Sequence, residues 1–279
     1  SAASDVYKRQ TYDNSTLPDL QLIENAMYRI TLEGTDLAGN TGKKFIMSIV
    51  YDDVAPKLGI KYPEPNTVVN NLNFAYFLSE QLGKGQFIYT QTGGEQDPNS
   101  PVVLSLSESE LEKMIDVPRL PTNPPVLNDG SIYNIKFVGE DLATNKTESD
   151  VVENVRYDIT RPKISISYPS GNTFFLGTEI GMEVSEDLLE AVLIWTRTGG
   201  LPDDGSPHRM PLSDALLKKG TYQDAPFPIN ESLNTSAIYT LSVEGKDFAD
   251  NDVEPVSIQS VEYIRDMSGK WYYKGAIIE

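Results

Sequence analysis

One pattern recurs along this chain at a fixed step, and that step limits it to a string of similar domains rather than one large core. Tyr51-Asp52, followed by Pro56, returns 106 residues later as Tyr157-Asp158, followed by Pro162. Thr90-Gln-Thr-Gly-Gly94 returns as Thr196-Arg-Thr-Gly-Gly200, and Tyr62-Pro63 as Tyr168-Pro169. A third series occurs three times, as Tyr28 to Asn40, Tyr133 to Asn145 and Tyr239 to Asn251, each ending in Asp-x-Ala-x-Asn. The chain therefore divides into the C-terminal part of one repeat (1–52, with 1–10 outside the pattern), whole repeats at 53–158 and 159–264, and a tail at 265–279. In the tail, Tyr263-Ile-Arg-Asp266 lacks the expected proline, so Gly269-Lys-Trp-Tyr-Tyr-Lys-Gly275 reads as the start of a different domain. The absence of a starting Met and the entry in mid-pattern lead us to expect a fragment of a longer protein.

Within a repeat the hydrophobic period is two, the signature of half-buried antiparallel strands. Ile164, Ile166 and Tyr168 alternate with Lys163, Ser165 and Ser167, and Ile180, Met182 and Val184 alternate with Gly181 and Glu183. Ala191 to Gly200 is a strong strand ending at glycines, with Trp195 where the preceding repeat has Tyr89. One short helix is expected per repeat, at Ser107-Glu-Ser-Glu110, whose Ser-x-x-Glu start is a capping box, and at Ser213-Asp-Ala-Leu-Leu. The Pro-rich stretch Val117 to Pro125 reads as a surface connection. About seven strands, an aromatic in the third and a tyrosine opening the sixth predict an all-β chain of tandem immunoglobulin-like Greek-key sandwiches.

The composition removes several chemistries. Lys plus Arg is 23 against 41 Asp plus Glu, a net charge of −18 that opposes nucleic acid and anionic lipid. There is no Cys and a single histidine, His208, which leaves disulfides, thiolate sites and imidazole catalysis without residues. No apolar run is long enough for a membrane helix. His208 lies in a polar stretch, opposite Val102 of the other repeat, and reads as a surface residue. The acids recur with the repeat, whereas an active site usually occurs once, so an enzyme is not expected.

Oxygen ligands remain. In such a sandwich the last strand leaves at the end where the next domain carries the loops after its second and sixth strands. The first junction thus gathers Asp52, Asp53, Glu80, Asp141 and Asn145, and the second Asp158, Glu186, Asp187, Asp247 and Asn251, with Asp250 and Asp252 near. Converging carboxylates repel unless paired, and Ca2+ takes 6 to 8 oxygens, so Ca2+ bridging adjacent domains is one reading. The other is that these Asp and Asn side chains hold tight Asx turns, and one carboxylate can do both. The Thr-x-Thr-Gly-Gly segments read as hairpin or edge turns, and Trp195 and Tyr89 as core fillers.

The signature Tyr-x-Ile/Leu-x-x-x-Gly-x-Asp-x-Ala-x-Asn, followed by Tyr-Asp-x-x-x-Pro, resembles bacterial extracellular immunoglobulin-like tandem repeats over residues 20 to 264. These are strung through large secreted or surface-anchored adhesins. The resemblance implies a non-catalytic structural or adhesive stalk at the cell surface or outside the cell, whose partners are its neighbouring domains and a surface glycan or protein. A carbohydrate- or protein-binding module on the Thr-Gly-Gly face, or an accessory region of a secreted polysaccharide-active enzyme, are the alternatives. The negative charge has a second explanation in the solubility of a long array.

Overall fold

The computed structural model describes residues 21–112, 114–177, 179–226, 233–265, 271–273 and 276–278. Strands β1 (Met27–Thr35) and β2 (Thr41–Val50) form an antiparallel hairpin, the counterpart of the last two long strands of each whole repeat. The first whole repeat runs β3 (Leu58–Tyr62), β4 (Val68–Val69), β5 (Phe74–Leu78), β6 (Leu82–Gly94), β7 (Val102–Ser105), α1 (Glu108–Leu111), β8 (Ile115–Arg119), β9 (Ser131–Asp141), β10 (Lys146–Glu148) and β11 (Val152–Tyr157). The second runs β12 (Ile164–Tyr168), β13 (Phe174–Phe175), β14 (Glu179–Val184), β15 (Leu188–Gly200), β16 (His208–Pro211), a 3-10 turn at Asp214–Leu217, β17 (Gly220–Pro226), β18 (Ala237–Asp247) and β19 (Ser257–Tyr263). Beyond it, β20 (Trp271–Tyr273) pairs with β21 (Ala276–Ile278); the rest of the tail, and residues 1–10, lie outside the described residues.

Each whole repeat is a sandwich of two sheets. One has three strands, in the order β3-β5-β8 or β12-β14-β17. The other has five, β4-β11-β9-β6-β7 or β13-β19-β18-β15-β16, with β10 added beside β9 in the first repeat. The chain changes sheet within its first strand: β3 pairs with β5, then Val68 and Val69 run parallel to Arg156 and Tyr157 on the opposite sheet. The fourth long strand, β7 or β16, hydrogen-bonds to the third, whereas an antibody constant domain places its fourth strand on the other sheet.

The cores follow the period-two pattern. In the first repeat Phe87 stacks on Phe137 at 4.5 Å between centroids, and Phe74 and Tyr76 pack beside them. In the second, Trp195 is wholly buried, stacked on Phe175 at 4.9 Å and edge-on to Tyr239. Tyr89 is likewise buried, so both central aromatics are core. A tyrosine near the start of each sixth strand, Tyr133 or Tyr239, accepts the backbone N–H of the residue five positions earlier, Asn128 or Asn234, at 2.9 Å. Tyr28 does the same for Ile23 at 2.7 Å.

Three local expectations are corrected. Only the first repeat has an α-turn in the expected place: the Glu110 carboxylate accepts the Ser107 N–H at 2.8 Å and caps it. Leu216 stands at that position in the second repeat and offers no carboxylate, so the turn closes as 3-10, with Leu216 N–H donating to Ser213 O. The Pro-rich connection begins as a strand, β8, because Pro118 lies on an edge strand where a missing N–H is tolerated. The Thr-x-Thr-Gly-Gly segments are not turns but the paired ends of β6 and β15: Gln91, Gly93 and Gly94 stay paired with Tyr133, Ile132 and Ser131 across a bulge at Thr92, and the second repeat shows the same shift at Thr198.

Candidate functional site at the domain junctions

The site starts from a turn that the chain builds three times. Asp141 Oδ1 accepts the N–H groups of Ala143 (2.8 Å) and Asn145 (2.9 Å), while its Oδ2 accepts the Asn145 amide at 2.9 Å. Asp247 holds Ala249 and Asn251 with the same bonds, and Asp36 holds Ala38 and Asn40. The asparagine reaches outward as well. Asn145 Nδ2 donates to the Asp52 carbonyl at 3.2 Å and Asn251 Nδ2 to the Asp158 carbonyl at 2.9 Å, which pins the linker against the turn.

Pinning the linker brings its own aspartate in. Asp158 Oδ1 accepts the Thr160 N–H and Asp52 Oδ1 the Val54 N–H, as Asx turns do ahead of a proline. The loop after the second long strand supplies a third acid. Asp52, Glu80 and Asp141 each place a carboxylate oxygen within 4.8 Å of the other two, and so do Asp158, Glu186 and Asp247. The two triads are copies at the 106-residue step. Asp141, Asp158 and Asp247 are buried.

Burial drives the electrostatics of the second triad. It pushes the Asp158 carboxyl above the ordinary aspartate range despite Arg156 beside it, with Asp129 and Asp247 adding repulsion. Burial also raises Glu186, helped by the charges of Asp158 and Asp247. A cation placed among these oxygens reverses both costs.

Of the other expected ligands, Asp53 and Asp187 turn to other partners, while Asn145 and Asn251 lie beside the triads. Asp53 accepts the Tyr51 hydroxyl at 2.8 Å and its own N–H binds Glu24. Asp187 is paired with Lys218 Nζ and the Lys219 N–H, both at 2.9 Å, and Asp250 with Lys246 at 2.8 Å. Asn145 and Asn251 spend their amides on the turn and the linker, and Asn251 Oδ1 accepts from Asn70 of the preceding repeat at 3.2 Å. Their part is to fasten the junction.

Asp129, Glu24 and Arg156 escaped sequence reading. Asp129 accepts the Ile159 N–H at 2.7 Å and the Thr160 hydroxyl, gripping the linker from the preceding repeat, as Glu24 grips Asp53. Arg156 Nη2 lies 3.3 Å from Asp158 Oδ2. The signal for Arg156 was in the repeat itself, one residue before Tyr157-Asp158, where the earlier copy has Val50.

Away from the junctions, His208 is buried, contrary to its reading as a surface residue. Its Nε2 is 2.6 Å from Asp203 Oδ2, which also accepts the Tyr239 hydroxyl. The first repeat keeps the Tyr133-to-Asp97 bond at 2.6 Å and fills the histidine's place with Val102. At the Thr-Gly-Gly strand ends, Gln91 donates to the Gly93 and Glu95 carbonyls, and Arg197 to those of Gly200 and Leu201. These side chains close their own loops.

Sheets of three and five strands, joined in Greek-key order and repeated along the chain, define tandem immunoglobulin-like β-sandwiches. No protein-family model matches this chain, and no curated protein does. Among solved structures it is similar to the fibronectin(III)-like modules of Clostridium thermocellum CbhA, at 15% identity and TM-score 0.36 over 78% of this chain and 100% of that one. It is also similar to a tetra-tandem repeat in the extending region of a large adhesion protein (14% identity, TM-score 0.28, 85% of this chain and 57% of that one). Chicken CNTN1 FN1–FN3 domains align at 7% identity and TM-score 0.30, covering 84% and 78%.

Proposed function

We propose that this chain is part of a non-catalytic extracellular stalk, a spacer of tandem sandwiches in a bacterial surface or secreted adhesin-like protein, stiffened by Ca2+ at its junctions. One observation carries the reading: the same three carboxylates converge at two successive junctions, drawn each time from the linker and from two loops of the following domain. An ion held by both ties the linker to that domain and removes a hinge. The donor set is all oxygen and anionic, which suits a hard divalent cation, with water and further oxygens completing its shell. The alternative, a carbohydrate- or protein-binding module on the Thr-Gly-Gly face, is disfavoured by side chains there that already close their own loops.

The test is a melting curve of the whole chain in chelator and in millimolar CaCl2, beside the double variant Glu80→Gln, Glu186→Gln. These glutamates take no part in the Asp-x-Ala-x-Asn turn, so their loss removes charge without dismantling the junction. A micromolar site in millimolar Ca2+ adds about 4 kcal/mol. We expect a Ca2+-dependent rise in Tm that the variant loses. Equal melting with and without Ca2+ refutes the ion-stiffened stalk.

A further inference from the structure

The two junctions are copies in their acids and differ in one cation. At the second, Arg156 ends the last strand of the preceding sandwich and reaches Asp158 Oδ2 at 3.3 Å, with its side chain half exposed. Two clefts at the junction are lined by Arg156 together with Asp158 and Glu186. At the first, the same place is taken by Val50, and among the described residues no basic side chain lies within 4.0 Å of Asp52, Glu80 or Asp141. The backbone around Arg156 is fixed from both directions. Its N–H donates to Thr67 O, and the Asp158 N–H to Val69 O, so the guanidinium is held on the first sandwich, paired with the linker's Asp158, while Glu186 and Asp247 of the second sandwich line the same cleft.

We propose that Arg156 is the built-in counterion of the second junction: paired with Asp158 and sharing a cleft with Glu186 and Asp247, it draws the acids of repeat 159–264 toward repeat 53–158 without an external ion, and makes that junction the weaker of the two for divalent cations. The first junction, with three acids and no resident cation, depends on an ion for the same rigidity. An array built this way responds to calcium junction by junction, one joint stiffening at low ion concentration while the next is already held. The ranking of ion affinities rests on the ion-stiffened reading above; the tether does not. A positive charge a few ångströms from a second cation opposes its binding, and we expect the junctions to differ in affinity by at least about tenfold.

Because the chain has no cysteine, labels can be placed at will. The exposed pair Lys84→Cys and Arg209→Cys reports the second junction by electron-electron distance measurement, and Lys43→Cys with Lys84→Cys the first. In chelator, Arg156→Val should broaden the 84-to-209 distance distribution, and Val50→Arg should narrow the 43-to-84 one. Val50 is more than half exposed, so the substitution leaves the hairpin intact. Calorimetric Ca2+ titration of the whole chain should give two affinities, with Arg156→Val closing the gap and Val50→Arg removing the tighter site. An 84-to-209 distribution unchanged by Arg156→Val in chelator overturns the tether. Two equal affinities, or a gap untouched by Arg156→Val, overturn the ranking. If no variant takes up Ca2+, the ion reading fails by itself and the chelator distances alone decide Arg156.

Discussion

Replacing Gly94 by alanine separates a backbone requirement from a ligand cradle at the Thr-x-Thr-Gly-Gly motif. Gly94 has φ +71°, and a Cβ added there would stand 2.2 Å from the Gly130 carbonyl oxygen. That same oxygen accepts the Glu95 N–H at 3.1 Å, so the clash falls on a bond that closes the strand end. The left-handed backbone costs alanine about 1 to 2 kcal/mol. Moving the carbonyl away forfeits roughly another 1 kcal/mol of hydrogen bonding. Together the loss is about 2 to 3 kcal/mol, confined to the first whole repeat. Gly200 provides the same geometry in the second, with φ +65° and Ser236 O at 2.2 Å. The neighbouring glycines are the controls: added Cβ atoms at Gly93 and Gly199 meet nothing closer than 3.7 Å and 3.6 Å. Their alanine variants should change stability by no more than about 1 kcal/mol, because ordinary backbone accommodates Ala. Hydrogen exchange along a urea series reads each repeat separately. Gly94→Ala should weaken protection throughout 53–158 and leave 159–264 alone, with Gly200→Ala the mirror image. Equal losses from Gly93→Ala and Gly94→Ala would refute the argument, since only one of the pair combines positive φ with a carbonyl in the way.

Tyr133→Phe should destabilise the first repeat by about 2 to 4 kcal/mol, because it strips a partner from the Asn128 N–H and from the buried Asp97 carboxylate; urea unfolding checks it. Tyr239→Phe should cost less, since His208 still pairs with Asp203. Burial alone would raise the Asp203 carboxyl, but the hydrogen bonds from Tyr239, His208 and Gly205 outweigh it and hold the group below the ordinary aspartate range. The folded state then binds fewer protons than the unfolded chain, so this contribution is present above about pH 4 and is lost as pH falls below it. Asp203→Asn should flatten the acid limb of the second repeat's melting curve, and an unchanged limb counts against the assignment.

What could be read from the sequence was what the chain carries locally and repeats. The Asp-x-Ala-x-Asn turn satisfies its own backbone within five residues, and the strand alternation at Ile180 to Val184 depends only on which face meets the core. A copy 106 residues away confirms such features because both obey the same short-range rules. Placement across the sandwich is different. Whether an acid beside the linker faces the triad or a lysine depends on loop paths, which is why Asp158 enters and Asp187 turns to Lys218. Asp129 joins the junction from the loop before β9, 30 residues from the Ile159 N–H it accepts, and Arg156 from the end of β11, where the copies differ. Residues on which the copies disagree were the hardest to value, Arg156 against Val50 and His208 against Val102, while Glu110 against Leu216 was legible only through its capping box. Comparing repeats discards such differences as noise, yet each is a polar group in one copy whose partners surround it there. Arg156 has Asp158, Glu110 has Ser107 and Thr122, and His208 has Asp203. A polar side chain at a buried or junction position survives only with partners in place, so each departure from the repeat marks where one domain has been adapted and its neighbour has not.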